Sequence, residues 1–220
     1  MANLPASIKE CFDIILSGNA HKSRTAARAV RKLVYSNAGD SRGKFVEIAK
    51  IIDNAASEYA KISEETRQEN FVMAISVIYF LHNREAQPDF LFPWLFQLLQ
   101  HDNGYIRHSA VKMLCNELGP LTVHIRCPCS RSVNEKLSPE KADRILFSLF
   151  MSLNELNYFL WRPKYKKYKY INSLPPSPYK STQQVLWEIE EDCGKKYIDH
   201  MTELASLAKK VQKEIFSPLA

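Results

Sequence analysis

Residues 101–119 read H-D-N-G-Y-I-R-H-S-A-V-K-M-L-C-N-E-L-G, and their apolar positions decide the fold class. Ile106, Ala110, Met113, Leu114 and Leu118 recur in steps of three and four, the spacing that gathers side chains on one face of a helix. Gly119-Pro120 supplies a stop, because proline lacks the amide that would continue the hydrogen-bond ladder. Inside the stretch, Ala110-Val111-x-x-Leu114 sets a small residue beside two larger ones. The same pattern stands upstream as Ala29-Val30-x-x-Leu33 and Ala74-Ile75-x-x-Ile78. Small residues at matched positions let neighbouring helices approach closely, as stacked helical pairs require.

Outward from this stretch the same periodicity continues. Ile8, Cys11, Phe12, Ile15 and Leu16 form a first stripe, after Pro5 and before Gly18. Ala26, Ala29, Val30, Leu33 and Val34 form a second, and Phe45, Ile48, Ala49, Ile52, Ala56 and Tyr59 a third. Glu64 and Glu65 open a helix that carries the apolar run Phe71 to Leu81, and Phe90 to Leu99 reads as a short helix interrupted by Pro93. Ser138-Pro139 caps a long stripe through Ala142, Ile145, Leu146, Leu149, Phe150, Leu153 and Leu156. Ser181 and Gln184 read as a capping box ahead of Val185, Leu186 and Ile189. Tyr197, Met201, Leu204, Ala208, Val211 and Ile215 alternate steps of four and three, a coiled-coil-like seam expected to pack on its own chain. No period-two alternation competes with these signals. They predict one all-α domain over 1–220 with about nine helices: stacked antiparallel pairs over 20–125, a loop at 161–180 and a C-terminal helical hairpin at 181–216.

The 101–119 stretch resembles the second helix of a HEAT repeat. Asp102, Ile106, Arg107, Ala110, Val111, Leu114, Leu118 and Gly119 stand at that family's characteristic positions, and a looser likeness extends over 35–125. The resemblance implies an α-solenoid superhelix that offers a binding surface, with Asp102 and Arg107 as structural links between adjacent units. It brings no catalytic residues with it. Some alkylpurine DNA glycosylases are solenoids of HEAT-like repeats that use an aspartate beside tryptophans. Here Trp94, Trp161 and Trp187 are followed by Leu95, Arg162 and Glu188, so no Trp-Asp pair exists.

Composition narrows the classes further. At 220 residues, 45% hydrophobic and 25% charged, the chain is of globular type and long enough to bury a core without disulfides or metal. Its six glycines never fall as G-x-G, and none precedes Lys-Ser or Lys-Thr, which removes the dinucleotide fingerprint and the P-loop. H-E-x-x-H and G-x-S-x-G are missing too, so no motif names a reaction and no cofactor is expected. Five cysteines, in a chain opening M-A-N-L-P, read as the reduced thiols of a cytoplasmic protein. Phe71 to Leu81 is too short for a bilayer, which takes about 20 residues.

Two basic features point to a partner. Trp161 to Lys180 holds Arg162, Lys164, Lys166, Lys167, Lys169 and Lys180 without an acid, as many cations as the whole formal excess of +6. Tyr165, Tyr168, Tyr170 and Tyr179 interleave with them, a mixture that suits a nucleic-acid strand because cations neutralise phosphate while rings stack on bases. The alternative reading is a solvated basic linker. Arg24, Arg28, Arg31 and Lys32 form the second feature: at 100° per residue they lie opposite the Ala26 and Val30 stripe, with no acid between Ala20 and Ala38. Pro175, Pro178 and Lys180 fit P-x-x-P-x-K, readable as a polyproline ligand or a stiff connector, and Ser177-Pro178 as a phosphorylation site.

Cys115, His124, Cys127 and Cys129 are candidate zinc ligands, though C-x-C is tighter than the usual C-x2-C; the other reading is a core thiol and a loop turn. Together these features predict a non-enzymatic interaction scaffold for an acidic protein or peptide, monomeric and away from membranes. A nucleic-acid-binding module using the basic helix face and the Lys-Tyr loop is the alternative.

Overall fold

The computed structural model describes residues 7–35, 41–128, 136–163 and 176–216, and the side chains of all of these but 41–44 and 211–216. All regular structure among them is helical. Ten α-helices follow in order: α1 (Ile8–Ser17), α2 (Ala20–Tyr35), α3 (Ser41–Asp53), α4 (Ala55–Tyr59), α5 (Glu65–Ile78), α6 (Phe92–Leu99), α7 (Gly104–Arg126), α8 (Pro139–Leu160), α9 (Pro178–Cys193) and α10 (Lys195–Phe216). A 3-10 turn, Tyr79–Leu81, follows α5. No helix among the described residues is long and apolar enough to cross a membrane.

Packing runs in a series. α1 lies on α2, α2 on α5, α5 on α7 and α7 on α9; α6 packs on α7, α8 on both α7 and α9, and α10 on α9. The three small-large-large segments sit on α2, α5 and α7, the helices that touch in succession. Ala29, Ala74 and Ala110 are all buried there, beside Val30, Ile75 and Val111. Val30, Ile75 and Val111 each contribute about 1.5–3 kcal/mol by leaving water. Polar links reinforce the contacts: Asn70 on α5 donates to the Ser23 hydroxyl at 3.0 Å, and that hydroxyl donates to the Ile15 carbonyl at 3.2 Å, joining α5, α2 and α1.

Several boundaries differ from the periodic reading, each for a local reason. The third stripe divides at Asn54, whose side chain donates to the Lys50 carbonyl at 2.8 Å while Ser57 donates to the Asn54 carbonyl at 2.9 Å, so side chains compete with the ladder. Pro93 does not interrupt α6 but sits in its first turn, where a missing amide costs nothing. Gly119-Pro120 does not stop α7. Leu118, Leu121 and Thr122 are buried on both sides of the proline, and the residue whose carbonyl loses its amide donor, Asn116, is solvent-exposed. The capping box at Ser181 and Gln184 is also displaced. Ser177 is the N-cap of α9, accepting from the Lys180 amide at 3.2 Å, and Ser181 and Gln184 are buried inside the helix.

Gly18 and Asn19 alone connect α1 to α2. A Cβ on Gly18 would stand 2.6 Å from the Ile14 carbonyl oxygen, so this turn needs glycine for close approach. Asn19 then caps α2, accepting from the Lys22 amide at 2.9 Å. Arg67 on α5 donates to the carbonyls of Leu16 and Gly18 at 2.7 and 3.1 Å, fixing the angle at which α2 leaves.

Candidate partner-binding surfaces

Burial of Ser23, Ala26, Ala27, Ala29 and Val30 against α1 and α5 forces the opposite stripe of α2 outward. Arg24, Arg28, Arg31 and Lys32 are all exposed, and α2 contains no acid. Among the described residues none of the four has an ion-pair partner. Some other exposed cations are paired, Lys61 with Glu58 at 2.7 Å, Arg84 with Asp53 at 2.9 Å, and Lys136 with Glu85 and Lys195 with Asp199 at 2.8 Å. Lys9, Lys50, Lys112 and Lys196 share the unpaired state of the α2 cations among the described residues. Tyr35, 67% exposed, closes the same stripe, because His21, Arg24, Arg28, Arg31 and Tyr35 alternate steps of three and four. The charge pattern did not single it out, although the spacing from Arg31 reaches it.

Arg162 stands apart from this face. It follows α8, and α5 and α7 lie between α2 and α8 in the order of packing. Its Nη1 donates to the carbonyls of Phe159 and Trp161 at 2.8 Å each, closing the end of α8. Lys164, Tyr165, Lys166, Lys167, Tyr168, Lys169 and Tyr170 lie outside the described residues. The other end of the 161–180 segment is shorter than expected, because Pro178 to Lys180 already belong to α9. That overturns the polyproline reading at Pro178. Ser177, whose side chain caps the helix, is buried rather than offered for modification.

Among the described residues the candidate metal ligands are not brought together. Cys115 is half-buried on α7, where burial, then Glu188 and Asp192, push its thiol up to about 12. His124 is occupied: its Nε2 lies 2.9 Å from Asp143 Oδ1, and the Tyr197 hydroxyl donates to the same oxygen, tying α7, α8 and α10. Cys127 is exposed beyond the end of α7, and Cys129 lies outside the described residues. Among those described, no group of three or more His, Cys, Asp or Glu is placed to hold an ion.

A second acid–imidazole–phenol group, absent from the sequence reading, lies where the 3-10 turn meets α7. Glu117, 1% exposed, has its Oε1 2.9 Å from His82 Nε2. The Arg84 amide donates to His82 Nδ1 at 3.0 Å, which leaves the proton of the neutral ring on Nε2, while Glu117 Oε1 has no hydrogen-bond partner among the described residues. Tyr79 beside it has its hydroxyl pKa raised, first by burial and then by Glu117. His82 and Glu117 border a cavity of about 210 Å³. Larger open spaces lie at the other end: a cleft of about 700 Å³ lined by Phe150, Asn154, Trp187, Ile198 and Thr202, and one of about 590 Å³ that shares Phe150, Asn154 and Thr202 with it.

No protein-family model, no curated protein and no solved structure matches the chain.

Proposed function

We propose that this chain is an all-helical interaction module that acts by binding, and that it captures an acidic protein or peptide segment along the exposed face of α2. One observation carries the reading: Arg24, Arg28, Arg31 and Lys32 share a stripe with no acid on their helix and no ion pair among the described residues. The arginines recur every one turn, about 5–6 Å along the axis, which is how carboxylates recur along an acidic helix laid beside them. Guanidinium suits such a partner, since it offers paired donors to each carboxylate. The succession α2, α5, α7 and the HEAT-like stretch at 101–119 support an α-solenoid scaffold for that face.

A nucleic-acid strand is the second reading, and Tyr35 is the observation that favours it, as an exposed ring in line with the arginines suits base stacking. The test measures fluorescence polarisation of a Glu-rich helical peptide and of single- and double-stranded DNA and RNA, at about 50 and 200 mM salt. Peptide binding that Arg24→Glu/Arg28→Glu/Arg31→Glu lowers at least about tenfold is expected. No binding of either class at low salt would sink both readings.

A further inference from the structure

Between Lys195 and Lys210 the C-terminal helix is held by its own domain only through its first two turns. Tyr197, Ile198 and Met201 pack against the core, and beyond Met201 no side chain is buried up to Lys210. From Thr202 to Lys210 every side chain but half-buried Ala205 is exposed, including Leu204 at 41% and Leu207 at 59%. Six of the eleven large apolar side chains exposed among the described residues belong to this end: Tyr158, Phe159, Trp161, Trp187, Leu204 and Leu207. Tyr158 and Phe159 border the cleft beside Thr202, Ala205 and Lys209. Leu204 and Leu207 stand exposed on the other face of α10, and exposed apolar faces of this kind mark interfaces. A helix extending this far beyond its support is marginal in water unless its apolar face is covered.

We propose that the cover is the same helix of a second copy, packed antiparallel on the face formed by Leu204 and Leu207. Two observations select this occupant. The face is self-complementary: Leu204 belongs to the heptad-spaced seam that the sequence carries on to Val211 and Ile215, and such seams pair with their like. Charge then selects the direction. Glu203 and Lys210 are both exposed and lie on the same flank of Leu207, at 100° per residue. In an antiparallel pair centred between Leu204 and Leu207, Glu203 of each helix comes within about one turn of Lys210 of the other, twice by symmetry. A parallel pair carries this flank to opposite sides of the interface on the two helices, so the Glu203–Lys210 contacts are not made. The seam therefore divides its work, its first half packing at home and its second half joining two copies.

The test is the mass of the full chain by light scattering or sedimentation equilibrium, up to about 100 µM, where pairs of this kind form. The expected mass is twice the 25.4 kDa of one chain. Leu204→Glu/Leu207→Glu returns it to one chain with unchanged helical circular dichroism, since both leucines are exposed in the single copy. A charge cycle adds a reading independent of folding. Lys210→Glu weakens association at least about tenfold, and adding Glu203→Lys restores it. A wild type that stays single at the highest concentration overturns the proposal. So does a double-leucine variant, or a Lys210→Glu variant, that pairs as the wild type does.

Discussion

Nε of Arg107 on α7 donates to the hydroxyl of Ser181 on α9 at 3.2 Å, while Nη1 of the same buried guanidinium donates to the carbonyls of His101 and Asp102 at 2.8 and 2.7 Å. One side chain thus closes the turn between α6 and α7 and fastens α7 to its neighbour. Arg107→Leu leaves the turn carbonyls without their donor, and a loss of about 3 kcal/mol is expected. Ser181→Ala keeps the turn carbonyls paired, removing the interhelix contact and the hydroxyl's own bond to the Ser177 carbonyl at 3.2 Å, and should cost about 1 kcal/mol. Chemical denaturation of both variants checks the order; equal losses would show that the turn carbonyls matter little.

Gly18→Ala drives a methyl group into the Ile14 carbonyl, 2.6 Å away, in a connection of two residues. The chain has no slack there, because Asn19 is already committed as the cap of α2 and Arg67 holds both flanking carbonyls. A destabilisation of about 1–3 kcal/mol is expected, read as a fall in melting temperature.

Alkaline pH should unfold the protein through its thiols. Burial pushes Cys193 up to about 12, with Asp192 and Asp143 adding to it, and Cys11 up to about 11, with Glu10 adding, from an ordinary 9.0; Cys115 behaves alike. Folded thiols keep protons that unfolded ones release, so stability is level below pH 9 and declines as pH rises from 9 towards 12. Tyr79 and Tyr197, also raised by burial first, steepen the fall above 10. Melting temperatures across this range check the slope, and Cys11→Ala/Cys115→Ala should flatten it. At neutral pH exposed Cys127 reacts with a thiol reagent while Cys11 stays protected.

Tyr35→Ala separates the two partners offered to α2. The ring is mostly exposed, so stability should change by less than about 0.5 kcal/mol. Binding of an acidic peptide should hold within about threefold, whereas a single strand that stacks on the ring loses about 1–3 kcal/mol of affinity. Replacing Lys164, Lys166, Lys167 and Lys169 with Ala in the same assay tells whether that segment adds to the α2 face.

The helices were legible because period 3.6 writes the same stripe whichever neighbour buries it. The basic face of α2 was legible for the same reason, since the positions that bury Ala26 and Val30 are those that expose Arg28 and Arg31. The prolines were not. Pro93, Pro120 and Pro178 mean a first turn, an interior position and a first turn again, and only the burial around each decides which. The contacts of Arg107 with Ser181 and of His82 with Glu117 join residues 74 and 35 positions apart, and no local spacing announces such a pair. Tyr35 escaped because it ends its helix, past the last residue of the apolar stripe.

The serial order of packing has a consequence for valency. α2 and α10 share no packing partner; α5, α7 and α9 stand between them. Joined through α10, two chains would leave both α2 faces uncovered by the junction, so one particle would carry two receptors for an acidic segment. A target with two such segments would be held twice, its second engagement intramolecular, and avidity would exceed affinity without a single new contact.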